Sequence, residues 1–266
     1  MKKLLSLIFT PALLFACAVP LSFAQSGQPI ASIDFTLNGE KGDSETLGVC
    51  VSETNLGDLT ADAVAYASGA QIAIVNSGSI CASIQAGDIT SEALSKAFPH
   101  GRTVTTINVT GAQLAEALEW GVHGMPNEAL DCFLQVSGIS FEVNLDNANG
   151  SRVENIIVDG EPIDLEKTYS LAANNYMASG VDGFTMLKTA EVTGSYGTMD
   201  DAVTSLIETS AENYKETAAR ITVTQSGEVN INTSTKSAPT LKIFASVIAV
   251  FIISAIAGVA YIKRKK

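Results

Sequence analysis

Two histidines and four cysteines are all the imidazoles and thiols that 266 residues provide for holding metals, and there is one tryptophan. No CxxC occurs, and neither His100 nor His123 stands with acids or thiols at ligand spacing. The sequence therefore offers no zinc or di-metal site. Positive charge is also scarce, at 16 Lys and Arg against 28 Asp and Glu. Seven of those cations lie in the two ends: Lys2, Lys3, Lys242 and the tail Lys263-Arg264-Lys265-Lys266. Residues 25–241 then carry nine basic side chains against 28 acidic ones, a net charge of −19. Such a surface repels phosphate backbones, which excludes nucleic acid as a partner. An anionic ligand would need a local cationic site to offset this field. No internal repeat is visible.

The ends read as targeting segments. Residues 1–24 combine a basic start, an apolar run from Leu4 to Ala18, and Ser22-Phe23-Ala24 before Gln25. That pattern is a secretory signal peptide with a small-x-small cleavage site. Leu14-Phe15-Ala16-Cys17 half resembles a lipoprotein box, which the bulky Phe15 fits poorly. Residues 243–262 carry no charge and precede a basic tail at 263–266. Twenty apolar residues at about 1.5 Å each match a bilayer core of about 30 Å, and the basic tail belongs on the cytoplasmic side. A variant sorting signal is the alternative, although Lys236-Ser237-Ala238-Pro239-Thr240-Leu241 is not of the LPxTG type. The expectation is an exported, single-pass membrane protein on the cell surface. Residues 226–241, rich in Ser, Thr and Asn, would form its stalk.

Between the ends, residues 30–225 amount to one domain. Ile30–Leu37 alternates apolar and polar as a strand does. A helix opens at Asn55 or Gly57 and stops at Gly69. Gln71–Val75 is a buried strand running into Asn76-Ser77-Gly78-Ser79. Thr90 or Ser91 caps a short helix through Phe98. Arg102–Val109 alternates again, and Thr110-Gly111-Ala112-Gln113 is a capping-box signal for the next helix. Val136–Leu145 and Arg152–Val158 read as strands, and Asp200–Tyr214 as a last helix. Strands and helices alternate without one βαβ rhythm. The expectation is a mixed α/β (α+β) domain, with mixed sheets covered by helices.

One stretch stands out chemically: Ala-Asn-Asn-Tyr-Met-Ala-Ser-Gly-Val-Asp-Gly-Phe, residues 173–184. It follows an apolar strand, turns through two glycines, and sets Tyr176 and Phe184 around Asp182. It is either a structural turn or a grip on a flat polar ligand.

Several segments, in order, resemble the C-terminal domain of 5'-nucleotidases. They are Glu53-Thr54-Asn55-Leu56-Gly57-Asp58-Leu59-Thr60-Ala61-Asp62-Ala63, Asn76-Ser77-Gly78-Ser79-Ile80-Cys81, Ala86-Gly87-Asp88-Ile89-Thr90, Phe98-Pro99-His100-Gly101-Arg102, Phe133-Leu134-Gln135-Val136-Ser137-Gly138 and the stretch 173–184. The resemblance implies a substrate-binding domain. The family's hydrolysis, and its two divalent metals, belong to an N-terminal metallophosphatase domain, for which residues 1–29 leave no room. No cofactor is therefore expected in this chain, and no catalytic residue.

Carried over residue by residue, the resemblance implies a base held between Phe133 and Tyr176, with Asn76 and Asp182 on ring edges or ribose hydroxyls. The family's two arginines fall on Ser52 and Cys81, positions that converge in the family. Their loss should cost on the order of a hundredfold in affinity for the usual ligand. Val181, Ser77 and Ser79 replace glycines, which narrows the backbone where the ligand would sit. Three cysteines follow the leader, and a Cys50–Cys81 disulfide across the old anion site is one expectation, small buried thiols the other.

Three functions remain open on these grounds. One is a tethered, non-catalytic module for a nucleoside or similar flat ligand. Another is half of a split hydrolase acting with a separate metallophosphatase. The last is a degenerate surface scaffold.

Overall fold

A computed structural model describes residues 28–43 and 46–226. The expected leader, stalk, apolar span and basic tail lie outside the described residues.

The elements follow in chain order: β1 Ala31–Ile33, α1 Asn55–Ser68, β2 Ile72–Asn76, β3 Gly87–Ile89, α2 Ser91–Ala97, β4 Thr103–Thr110 and α3 Gly111–Gly121. Then come β5 Leu134–Ser137, β6 Ile139–Asn144, β7 Val153–Val158, β8 Glu161–Pro162, β9 Thr168–Asn174, α4 Asn175–Ala178, β10 Glu191–Thr198, α5 Met199–Ser210 and β11 Ile221–Thr224.

Three sheets form. The central one has the order β10-β4-β9-β2-β5, in which only β2 and β9 run parallel. A second has the order β11-β6-β7-β8, with β11 parallel to β6. The third pairs β1 with β3. The mixed α/β expectation holds.

Apart from its β10 edge the central sheet is largely buried on both faces, and β2 shows how. Ile72 and Ile74 join a core with α3 residues Leu114 and Leu118, Phe133 and Phe184. Ala73 and Val75 join the opposite core, with α1 residues Leu56, Leu59 and Val64 and α5 residues Val203 and Ile207. Successive strand residues face opposite ways, so an all-apolar strand feeds two cores at once.

Local signals set the helix ends. Thr54 caps α1 through a bond from Gly57 N, one residue ahead of the expected start, and Gly69 closes it with φ +66°. The capping box at α3 is complete: Gln113 N donates to Thr110 Oγ1 at 3.2 Å and Thr110 N donates to Gln113 Oε1 at 2.9 Å.

Two apolar runs are divided differently from expectation. Ile30–Leu37 pairs as a strand only over Ala31–Ile33. The run Val136–Leu145 breaks at Gly138, whose φ is +73° and whose missing Cβ leaves room for Gln71 O. The break sends β5 into the central sheet and β6 into the second.

The carboxyl end of the domain is tied to α1 by charge. Arg220 Nη2 donates to Asp62 Oδ2 at 2.8 Å and Arg220 Nη1 to Val136 O at 2.6 Å. Ala218 N donates to Asp58 Oδ2 and Ile221 N to Glu53 Oε2, each at 2.8 Å. Asp58 is almost wholly buried, and Asp58 Oδ1 and Glu53 Oε1 find no donor. Burial first, and the neighbouring Glu53 carboxylate second, push Asp58 up to about 7. A proton held between the two carboxyls satisfies both orphaned oxygens.

Candidate functional site

The parallel pair β2 and β9 ends in two buried asparagines, Asn76 and Asn174. Asn174 Nδ2 donates to Asn76 Oδ1 at 2.8 Å and to Ser79 Oγ at 3.0 Å. Ser79 Oγ donates to the same Asn76 oxygen at 2.6 Å. With Oδ1 doubly occupied, the Asn76 amide group must present Nδ2 outward. It reaches Asp182 Oδ2 and Asp131 O, both at 3.4 Å. Asn174 Oδ1 also accepts from Met177 N, which starts α4 and places Tyr176 beside the strand ends.

The loop after α4 is pinned from α3. Trp120 Nε1 donates to Asp182 O at 2.8 Å, and Asp182 takes the left-handed φ of +54° that Asp tolerates. Gly183 follows at φ +81° with its Cα against the Trp120 ring, where any Cβ would enter the indole. The Asp182 carboxylate is exposed beside the Asn76 amide.

Phe133 departs from expectation. It is 1% exposed, packed in the core with Phe184 and Met177, and no ligand can stack on it. Its backbone serves instead, since Phe133 O accepts from Ser77 N at 2.8 Å and so helps set the turn after Asn76. Tyr176 is the aromatic left at the surface, and the Arg102 guanidinium lies over its ring, 3.8 Å from the centroid.

The former arginine positions also part. Ser52 Oγ donates to Gly48 O at 3.2 Å and lines a separate cleft of about 250 Å³ with Asn38, Leu47 and Lys215. Cys81 is exposed, with Sγ 3.5 Å from His100 Nε2. The expected Cys50–Cys81 disulfide is not formed, and all three cysteines of the described domain are free. Cys50 is buried and its thiol donates to Asp131 Oδ1 at 3.6 Å. Burial pushes the Cys50, Cys81 and Cys132 thiols up, Cys132 to about 11.

Ser77 and Ser79 do not merely crowd the turn. Ser79 holds the Asn76 oxygen, and Ser77 Oγ donates to Leu130 O at 3.1 Å. Four residues missed by sequence reasoning border the site: Lys41, Asp131, His100 and Arg102. Lys41 Nζ pairs with Asp131 Oδ1 at 2.7 Å, a hydrogen bond that raises the lysine. Both Lys41 and Arg102 lower the Cys81 thiol against its burial. Two cations therefore stand near Cys81 although the expected arginines are gone. The segment Phe98-Pro99-His100-Gly101-Arg102 carried the signal, since it placed an imidazole and a guanidinium in a matched motif.

A cleft of about 600 Å³ also borders the loop after α4, lined by Glu116, Glu119, Trp120, His123, Gly183 and Met186. It shares the loop with Asp182 but contains neither Asn76 nor Tyr176. Among the described residues, no three His, Cys, Asp or Glu side chains gather as a metal centre would require. The family's metal pair does not fit these residues, which offer it no ligand set.

These features define a mixed α/β domain with a polar cluster gathered at the carboxyl ends of two parallel strands, where ligands of α/β sheets commonly sit. Residues 31–189 match the model of the family described as 5'-nucleotidase, C-terminal domain, and the chain belongs to that family. The trifunctional nucleotide phosphoesterase protein YfkN of Bacillus subtilis is 34% identical over 182 residues, covering 65% of this chain and 12% of YfkN. A snake venom 5'-nucleotidase of Crotalus adamanteus is 33% identical over 201 residues, covering 67% of this chain and 33% of that protein. Among solved structures, a 5'-nucleotidase precursor from Thermus thermophilus superposes with a TM-score of 0.66 at 33% identity, over 74% of this chain and 39% of that one. The chain thus spans well under half the length of these relatives.

Proposed function

We propose that this domain binds a nucleoside or nucleotide at the carboxyl ends of β2 and β9, and does so without catalysing its hydrolysis. One observation carries the reading: Asn76 is locked by Asn174 and Ser79 so that its amide N–H faces the exposed Asp182 carboxylate, beside Tyr176. An amide donor next to a carboxylate acceptor suits the edge of a base or a pair of ribose hydroxyls. Family membership and relatives named as nucleotidases support this ligand class. Tyr176 supplies the aromatic surface, and Phe133 packs the core and sets the turn after Asn76 through its carbonyl.

In this reading the domain is exported and tethered by residues 243–262, holding its ligand outside the cytoplasm. Calorimetry of the purified chain against adenosine and AMP tests the binding; absence of heat and of any thermal shift at millimolar ligand overturns it. Alkaline carbonate extraction of membranes tests the tether, which fails if the chain leaves with the soluble fraction.

A split hydrolase is the second reading, supported by relatives named as a nucleotide phosphoesterase and a 5'-nucleotidase. A separately encoded metallophosphatase would then supply metals and nucleophile. Its test is nucleotide hydrolysis by the two proteins mixed, with Mn²⁺ or Zn²⁺ present, that neither shows alone.

A further inference from the structure

Glu116, Glu119, Trp120 and His123 are spaced three and four apart along α3 and the turn that continues it, so they share one side. All four line the cleft of about 600 Å³, and Asn149 from the turn between β6 and β7 borders it as well. Trp120 and His123 stack, with ring centroids 4.0 Å apart and planes 18° from parallel, and give the cleft an aromatic wall.

The polar atoms left unspent on these side chains are mainly acceptors. Glu119 Oε1 accepts from Val153 N at 2.7 Å, while Glu119 Oε2 is buried and finds no donor. The Glu116 side chain is exposed, and neither carboxylate has an ion pair among the described residues. His123 Nδ1 lies 2.5 Å from Trp120 O. A carbonyl only accepts, so Nδ1 carries the proton and the neutral ring keeps its lone pair on Nε2. Asn149 Nδ2 donates to His123 O at 3.1 Å, which leaves Asn149 Oδ1 as an acceptor. Among the described residues no Lys or Arg lines the cleft. Arg152 comes near, but its Nη1 is spent on the carbonyls of Val122, His123 and Met125. A half-enclosed carboxylate pair without a cation is costly, and a ligand that brings positive charge relieves it. A single metal ion does not fit, because no three ligating side chains gather among the described residues. The spread of acceptors suits several N–H donors carried on an apolar stem.

We propose that this cleft is a second binding site, for an aliphatic diamine or polyamine. One ammonium group lies with Glu116 and Glu119, whose helical spacing of three sets their Cβ atoms about 5–6 Å apart. The alkyl stem rests on the Trp120–His123 wall, where an ammonium also gains from the aromatic face. A second ammonium reaches the Asn149 side. The net charge of −19 over residues 25–241 draws such cations toward the domain. The proposal stands apart from the nucleoside reading, since the cleft contains neither Asn76 nor Tyr176.

The test is titration of the full chain in detergent with putrescine and spermidine, followed by calorimetry and by the emission of Trp120, the one tryptophan of the chain. Butanediol serves as the neutral analogue and Mg²⁺ as the inorganic cation. Both amines should give saturable heat and a saturable change in emission, and neither control should. Glu116→Gln alters an exposed carboxylate and should weaken amine binding about tenfold, as loss of a charge-assisted hydrogen bond does. Glu119→Gln keeps an acceptor for Val153 N and should weaken it similarly, the two together more than either. No saturable response to the amines overturns the site. So does a response that Mg²⁺ matches, which is bulk charge alone, or an affinity unchanged in Glu116→Gln. Displacement of bound amine by adenosine also overturns it, since the cleft would then belong to the nucleoside.

Discussion

Asn174 Nδ2 sits 2.8 Å from Asn76 Oδ1, so one buried asparagine dictates which end of the other meets a ligand. Asn174→Leu removes that donor and the N-cap of α4 together. The expected cost is about 1–3 kcal/mol of stability, with loss of nucleoside binding. Chemical denaturation and calorimetry check the two separately. Asn174→Asp keeps an acceptor for Met177 N but offers Asn76 no donor. It should fold and still bind poorly.

Phe133 and Tyr176 should behave as opposites. Phe133→Ala opens a core cavity and should cost about 3–5 kcal/mol in urea denaturation. Tyr176→Ala, at a half-buried surface position, should shift the melt little and abolish the binding that calorimetry finds. A large loss of binding with intact stability in Phe133→Leu would return that residue to the ligand.

Asp58 makes stability depend on pH. Its carboxyl is raised from 3.8 to about 7 in the fold, so the folded state holds a proton that the unfolded chain releases earlier. That contribution is complete below about pH 4 and is lost as pH rises toward 7. Asp58→Asn should flatten this descending limb, read as ΔG of unfolding at a series of pH values. A slope unchanged by the substitution would remove the assignment.

Gly183→Ala drives a methyl into the Trp120 indole at a backbone angle that L side chains avoid. A cost of roughly 1–3 kcal/mol is expected. The chain has one tryptophan, so its emission reports the displaced loop directly. The Trp120–Asp182 bond should weaken with it, and ligand affinity should fall.

Of the three thiols in the described domain, Cys81 alone should alkylate quickly in the native protein, with Cys50 and Cys132 reacting only after unreduced denaturation. Peptide mapping by mass spectrometry reads this. A Cys50–Cys81 peptide joined by sulfur would reinstate the bridge.

Much of the fold was legible because its signals are local. Thr110 and Gln113 cap a helix by themselves, and Gly69 ends one through its own φ. β10 was not legible: Glu191–Thr198 carries two glycines, is mostly exposed, and owes its pairing to β4. The site was half legible. Asn76 and Asp182 lie side by side, yet the residues that aim Asn76 are Asn174 and Ser79, the latter 3 positions along and the former 98. Phe133 lies at the head of a β-strand motif, but whether a strand residue faces core or ligand depends on which sheet face is covered, a tertiary fact.

The tie between β11 and α1 has a mechanical side. β11 runs parallel to β6 through four paired residues, so tension drawn along it from Thr224 would shear all four together instead of peeling them singly. Before the chain could yield upstream, it would also have to free Arg220 from Asp62 and the Ile221 and Ala218 amides from Glu53 and Asp58. A domain gripped this way by its last strand can take a pull at that end and keep the distant Asn76 cluster undeformed.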